Sequence, residues 1–152
     1  MIDSELPYLT SIDNQLLRYC LQQNDIILSK IGAPFKVALA TSASPQKILG
    51  NGNLFIIRVD AQVADPCYIK VFLESELGQS ILRRAAGGSI MPNLSVEAIK
   101  RLQISLPPLD QQKQIAARYL AKADEVILLR RKLDAALNAL GHILDSDDGV
   151  RA

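Results

Sequence analysis

The chain has 152 residues, 49% of them hydrophobic, which suits one compact domain with a modest core and a helical appendage outside that core. Lys and Arg number 17 against 16 Asp and Glu, so a formal charge of +1 exerts no global pull on a polyanion, and any nucleic-acid binding must come from a local patch. No run reaches the roughly 18 apolar residues of a spanning helix, and "MIDSELPY" has acids where a signal peptide carries positive charge, so a soluble, cytoplasmic protein without a membrane partner is expected.

Residues 1–24 are weakly patterned, and "NQLLRYCL" fits either a helical turn or a strand. From Asp25 the character changes. "DIILSKIG" and "FKVALA" are short, rich in Ile and Val, and parted by the turn signal Gly32-Ala33-Pro34, so they read as two strands. After "TSASPQK" and the turn cluster "GNGN", "LFIIRVD" is a third and stronger strand ending at Arg58. Cys20 and Cys67 lack partners at a metal-ligand spacing and read as reduced thiols, with a disulfide between them left open.

A helix is expected to begin at Pro66, because Asp65 stands at the N-cap and proline at the first helical position forfeits no hydrogen bond. Ile69, Phe72, Leu73, Leu77, Ile81 and Leu82 recur every three or four residues, so one face is buried. Gly78 bends or divides this run, and Gly87-Gly88 stops it. Ser95 then caps a short helix with Val96, Ile99 and Leu102 inward, and "QISLPP" alternates like a strand that ends on prolines. From Asp110, Ala116, Tyr119, Ala123, Val126, Arg130, Leu133, Leu137, Leu140 and Leu144 alternate spacings of three and four, the pattern of a helix-helix seam. Leu120, Ile127 and Leu129 widen that stripe. A helix of about 35 residues spans roughly 50 Å, beyond the diameter of a small domain, so part of it must find a partner.

Chemistry is sparse. His142 is the one histidine, on the terminal helix, and no Ser/His/Asp set, Walker loop, methyl-donor glycine motif or metal cluster occurs. Gly50-Asn51-Gly52 joins strands rather than opening a helix and is a weak phosphate cradle. The chain therefore reads as a protein without an enzymatic role or a cofactor. Between Arg83 and Arg101 the basic residues Arg83, Arg84, Lys100 and Arg101 face a single acid, Glu97, and the stretch also holds Gly87, Gly88, Ser89 and Asn93. Such a loop suits DNA contact, since glycine permits close backbone approach and Ser and Asn bond phosphates or bases. The competing reading is that Arg83 and Arg84 only complement a helix C-terminus. Lys30 and Lys36, flanking the 32–34 turn, point either toward a groove or into solvent.

The order of "LQQNDIILSKIG" at 21–32, "YIKVFLESELGQ" at 68–79, and "AAGGSIMPNLSVEAIKRLQISLPPLDQQKQIA" at 85–116 before a long helix resembles the target recognition domain and spacer helix of type I restriction-modification specificity subunits. The family usually has Gly before the strand-leading Asp, where this chain has Asn24, a residue that tolerates positive φ. Complete recognition domains extend further ahead of the matching region, and full subunits hold two of them, so the chain is expected to be short at its N-terminus. The resemblance implies an α+β fold with a small mixed or antiparallel sheet and short helices, followed by one long C-terminal helix paired with a partner helix. It places a partial DNA-reading domain at 1–108, the spacer helix at 109–145 and a disordered tail at 146–152.

The implied function is sequence-specific binding of double-stranded DNA that positions methyltransferase subunits, with the restriction subunit joining through the complex. Lys30, Lys36, Arg83, Arg84, Ser89, Asn93, Lys100 and Arg101 are the candidate DNA contacts. Tyr119, Val126, Leu133, Leu137, Leu140 and Leu144 are the candidate contacts to a partner helix, from a second copy or another specificity subunit. The alternative is a fragment that pairs with intact specificity subunits through its helix and reads no DNA itself.

Overall fold

The computed structural model describes residues 14–40, 48–88 and 90–146. The chain falls into two units, residues 1–113 and 114–152.

In the first unit a 3-10 turn over Asn14–Tyr19 precedes the three strands expected, β1 (Ile26–Ser29), β2 (Val37–Leu39) and β3 (Leu54–Ile57). The sheet is wholly antiparallel, ordered β2-β1-β3, with Ile26 opposite both Leu39 and Ile57. Ile26 and Leu28 of the central strand are fully buried, with Phe35, Ile69, Leu73, Leu82 and Leu94 completing the core. Each such side chain contributes roughly 1.5–3 kcal/mol by leaving water. The turn into β1 needs a left-handed residue, and Asn24 supplies it at φ 69°.

The helices follow their caps. Asp65 accepts from the Tyr68 N–H at 2.8 Å and starts α1 (Pro66–Glu74). Ser75 starts α2 (Glu76–Ala85), and Ser95 starts α3 (Val96–Lys100). Asp65→Ala is expected to destabilise the first unit by about 1 kcal/mol, the usual worth of such a cap, and a urea denaturation midpoint checks it. The division of the apolar run falls at Ser75 rather than at Gly78. Gly78 serves instead as a point of close approach, since a Cβ there would collide with the Phe72 carbonyl oxygen and the Leu73 backbone. Gln79 is buried and clamps the turn before β2: its Nε2 donates to the Phe35 and Leu73 carbonyls, and its Oε1 accepts from Phe35 N–H at 2.8 Å.

Two further expectations need correction. "QISLPP" is not a strand: the sheet ends at β2 and β3, and the segment's carbonyls are taken by side chains instead, Ser105 by the Tyr68 hydroxyl and Pro107 by Gln112. Val96 does not face inward, because α3 is a single short turn that leaves it 48% exposed while Ile99 and Leu102 are half-buried. The long helix α4 (Leu109–Ser146) follows the two prolines and runs through Gly141. Its first turn is fastened by Gln112, which is 1% exposed, accepts from the Asp65 N–H and donates to the Val63 and Pro107 carbonyls. Both cysteines are free thiols.

The second unit is the remainder of α4, and it carries a broad apolar stripe. Val126, Leu133, Leu137 and Leu140 are all more than half exposed, and Tyr119 is 39% exposed. The Leu144 side chain, and the tail expected to be disordered beyond Ser146, lie outside what the structure describes.

Candidate nucleic-acid interface

Antiparallel order decides which loops meet. β1 leaves the sheet at Ser29, while β2 and β3 enter it at Val37 and Leu54, so the 30–36 and 51–53 connections lie at the same end. The Lys30 N–H donates to the Asn53 carbonyl at 2.9 Å, and Lys36 and Ser29 exchange bonds across the intervening turn. A third loop joins them. Gly87 and Asn93 close it by donating to each other's carbonyls at 2.9 and 2.8 Å. Gly32 N–H then donates to the Pro92 carbonyl and Leu94 N–H to the Lys30 carbonyl.

Lys30 and Asn93, far apart in sequence, thus stand on laced neighbouring loops. The Lys30 ammonium lies 5.0 Å from the centre of the Phe55 ring, a cation–π contact that orients it without cancelling its charge. Lys36 is exposed beyond the turn. Arg83 and Arg84 are exposed in the last turn of α2, which feeds the 87–93 loop, and Lys100 and Arg101 are exposed at the end of α3, which follows it. Ser89 lies outside the described residues.

Arg84 and Arg101 line one open concavity of about 360 Å³ together with Ile81, Ala85, Leu102 and Gln103. No ion pair to a carboxylate involves either arginine among the described residues. A guanidinium group offers the paired N–H donors that a phosphate takes. Gln103 was not among the sequence candidates; only its spacing of two from Arg101 hinted at it.

The opposite end of the sheet carries a structural ion pair. Asp25, 1% exposed, accepts from Arg58 Nε at 2.7 Å and Nη2 at 3.0 Å, and from the Gln22 N–H at 2.7 Å. Arg58 also donates to the Cys20 carbonyl. The hydrogen bond to Asp25 raises the Arg58 pKa further above its ordinary value, which favours the charged guanidinium. Burial, helped by Asp65, pushes the Cys67 thiol up, which disfavours a nucleophilic thiolate. Among the described residues no group of three or more His, Cys, Asp or Glu could hold a metal ion, and no helix is long and apolar enough to cross a membrane.

A small antiparallel sheet carries basic residues on the loops at one end, and the chain continues into a helix with an exposed apolar stripe. The sequence matches the type I restriction modification DNA specificity domain over residues 11–139, and the chain belongs to that family. It is also 29% identical to a specificity subunit, MjaX, assigned to a type I restriction enzyme of Methanocaldococcus jannaschii, in an alignment covering 89% of this chain and 32% of the relative. The chain thus spans about a third of that relative's length.

Proposed function

We propose that the chain reads double-stranded DNA for a type I restriction-modification system and holds methyltransferase subunits near the site, without chemistry of its own. Residues 1–108 do the reading and 109–145 the spacing, in the cytoplasm, with the restriction subunit arriving through the complex. The observation that carries this reading is the recess shared by Arg84 and Arg101, beside a loop laced to Lys30. Phosphates position such a protein on the duplex, and side chains on the loops then reach base edges.

With about four phosphate contacts, duplex affinity is expected to fall with a log-log slope of roughly −3 to −4 as salt rises. Fluorescence anisotropy across a salt series, with and without a methyltransferase subunit, measures it. Absent or salt-insensitive binding in both arms removes the DNA-reading role. The second reading, a fragment that pairs with intact specificity subunits through α4 alone, is favoured by the exposed Leu133, Leu137 and Leu140.

A further inference from the structure

Building on the DNA-reading role, we propose that the tip of the 87–93 loop is an apolar wedge that enters the duplex between neighbouring base pairs and unstacks them. Ile90 is 97% exposed and Met91 65% exposed, the two most open large apolar side chains among the described residues. They do not sit on a slack loop. Gly87 and Asn93 pinch its base, Pro92 and Leu94 are bonded to Gly32 and Lys30, and Gly88 takes φ 88°. A Cβ at Gly88 would lie 2.9 Å from the Met91 carbonyl oxygen, so Gly88 permits a close approach of the backbone at Met91.

The surroundings decide the occupant. An apolar tip alone would suit any greasy surface, but this one lies between Arg83 and Arg84 on its entering side and Lys100 and Arg101 beyond its exit, with Lys30 bonded to its base. Glu97 is the one acid between Arg83 and Arg101. A duplex offers phosphates at the rim and, once a step opens, apolar base faces at the centre. Ile and Met are side chains that wedge a base step in this way, with flanking cations holding the strands. The contacts that orient the loop are backbone bonds, so replacing its tip leaves the fold intact.

Unwinding of plasmid DNA tests this. Relaxed closed-circular plasmid is incubated with the full chain and topoisomerase I, then deproteinised, and its topoisomers are resolved. The wild-type chain is expected to lower the linking number in proportion to bound protein. Ile90→Ser/Met91→Ser is expected to bind about tenfold more weakly with the same salt slope, and at equal occupancy to leave the topoisomers unchanged. Salt-dependent binding by the wild type without a linking-number change, or an equal change from the serine variant, overturns the wedge and leaves the DNA-reading role standing. Failure of the wild type to bind plasmid at all, with a methyltransferase subunit present as well as without it, overturns both.

Discussion

Replacing Arg58 by Met is expected to lower the unfolding free energy of the first unit by about 3 kcal/mol, although the residue lies at a strand end where sequence alone suggests little. The Asp25 side chain is 2% exposed and would lose both guanidinium donors, leaving a carboxylate that still accepts from the Gln22 N–H. Removing one member of a buried pair typically costs about 3–5 kcal/mol, because the other charge stays desolvated. The lower end applies here. The Arg58 side chain is 43% exposed, so water can reach part of the vacated space. Asp25→Asn combined with Arg58→Met is expected to lose less than Arg58→Met alone, since no charge is then stranded. Urea unfolding of the wild type, Arg58→Met, Asp25→Asn and the double variant measures the cycle. A loss below about 0.5 kcal/mol for Arg58→Met would put the pair in the class of ordinary surface bridges. Because this pair sits at the sheet end opposite the basic loops, the salt slope of DNA binding should not change in conditions where the variant is folded.

The same pair shows what a sequence discloses and what it withholds. Asp25 and Arg58 each border an apolar strand, and the register that sets Ile26 opposite Ile57 sets these two opposite each other. That register is a property of pairing, which local pattern does not specify. Where the determinant is local, the reading succeeds: Asp65-Pro66 opens α1, Ser95 opens α3, and Asn24 takes the positive φ that its place before Asp25 demands. Alternation in "QISLPP" misleads because a strand also needs a free sheet edge beside it, and this segment is held by the Tyr68 hydroxyl and Gln112 instead. Gln79 and Gln112, buried amides that fasten elements 44 and 47 residues away, leave no periodic trace at all. The basic loops are intermediate. Their charges are visible in sequence, whereas the lacing of Lys30 to the 87–93 loop exists only after the sheet has formed.

Leu133→Asp together with Leu137→Asp is expected to abolish association through α4, both of the chain with itself and with an intact specificity subunit, while DNA binding keeps its salt slope. The two leucines are 58% and 55% exposed, four residues apart on the same stripe as Val126 and Leu140. Covering each against a partner helix would contribute roughly 1.5–3 kcal/mol, and an aspartate there instead carries an unpaired charge into the seam. Sedimentation equilibrium of the chain alone, and mixed with a two-domain specificity subunit, reads the outcome. A mass for the wild type equal to twice that of one chain assigns the stripe to self-pairing about a two-fold axis, and a mass shift only in the mixture assigns it to another subunit. An unchanged mass for the variant in both settings removes the helix from the assembly role. Arg130 sharpens the test, because a charged residue inside a seam restricts register at a cost in stability. Arg130→Leu should therefore tighten association while admitting shifted registers, and a helix that merely rests against solvent would show neither effect.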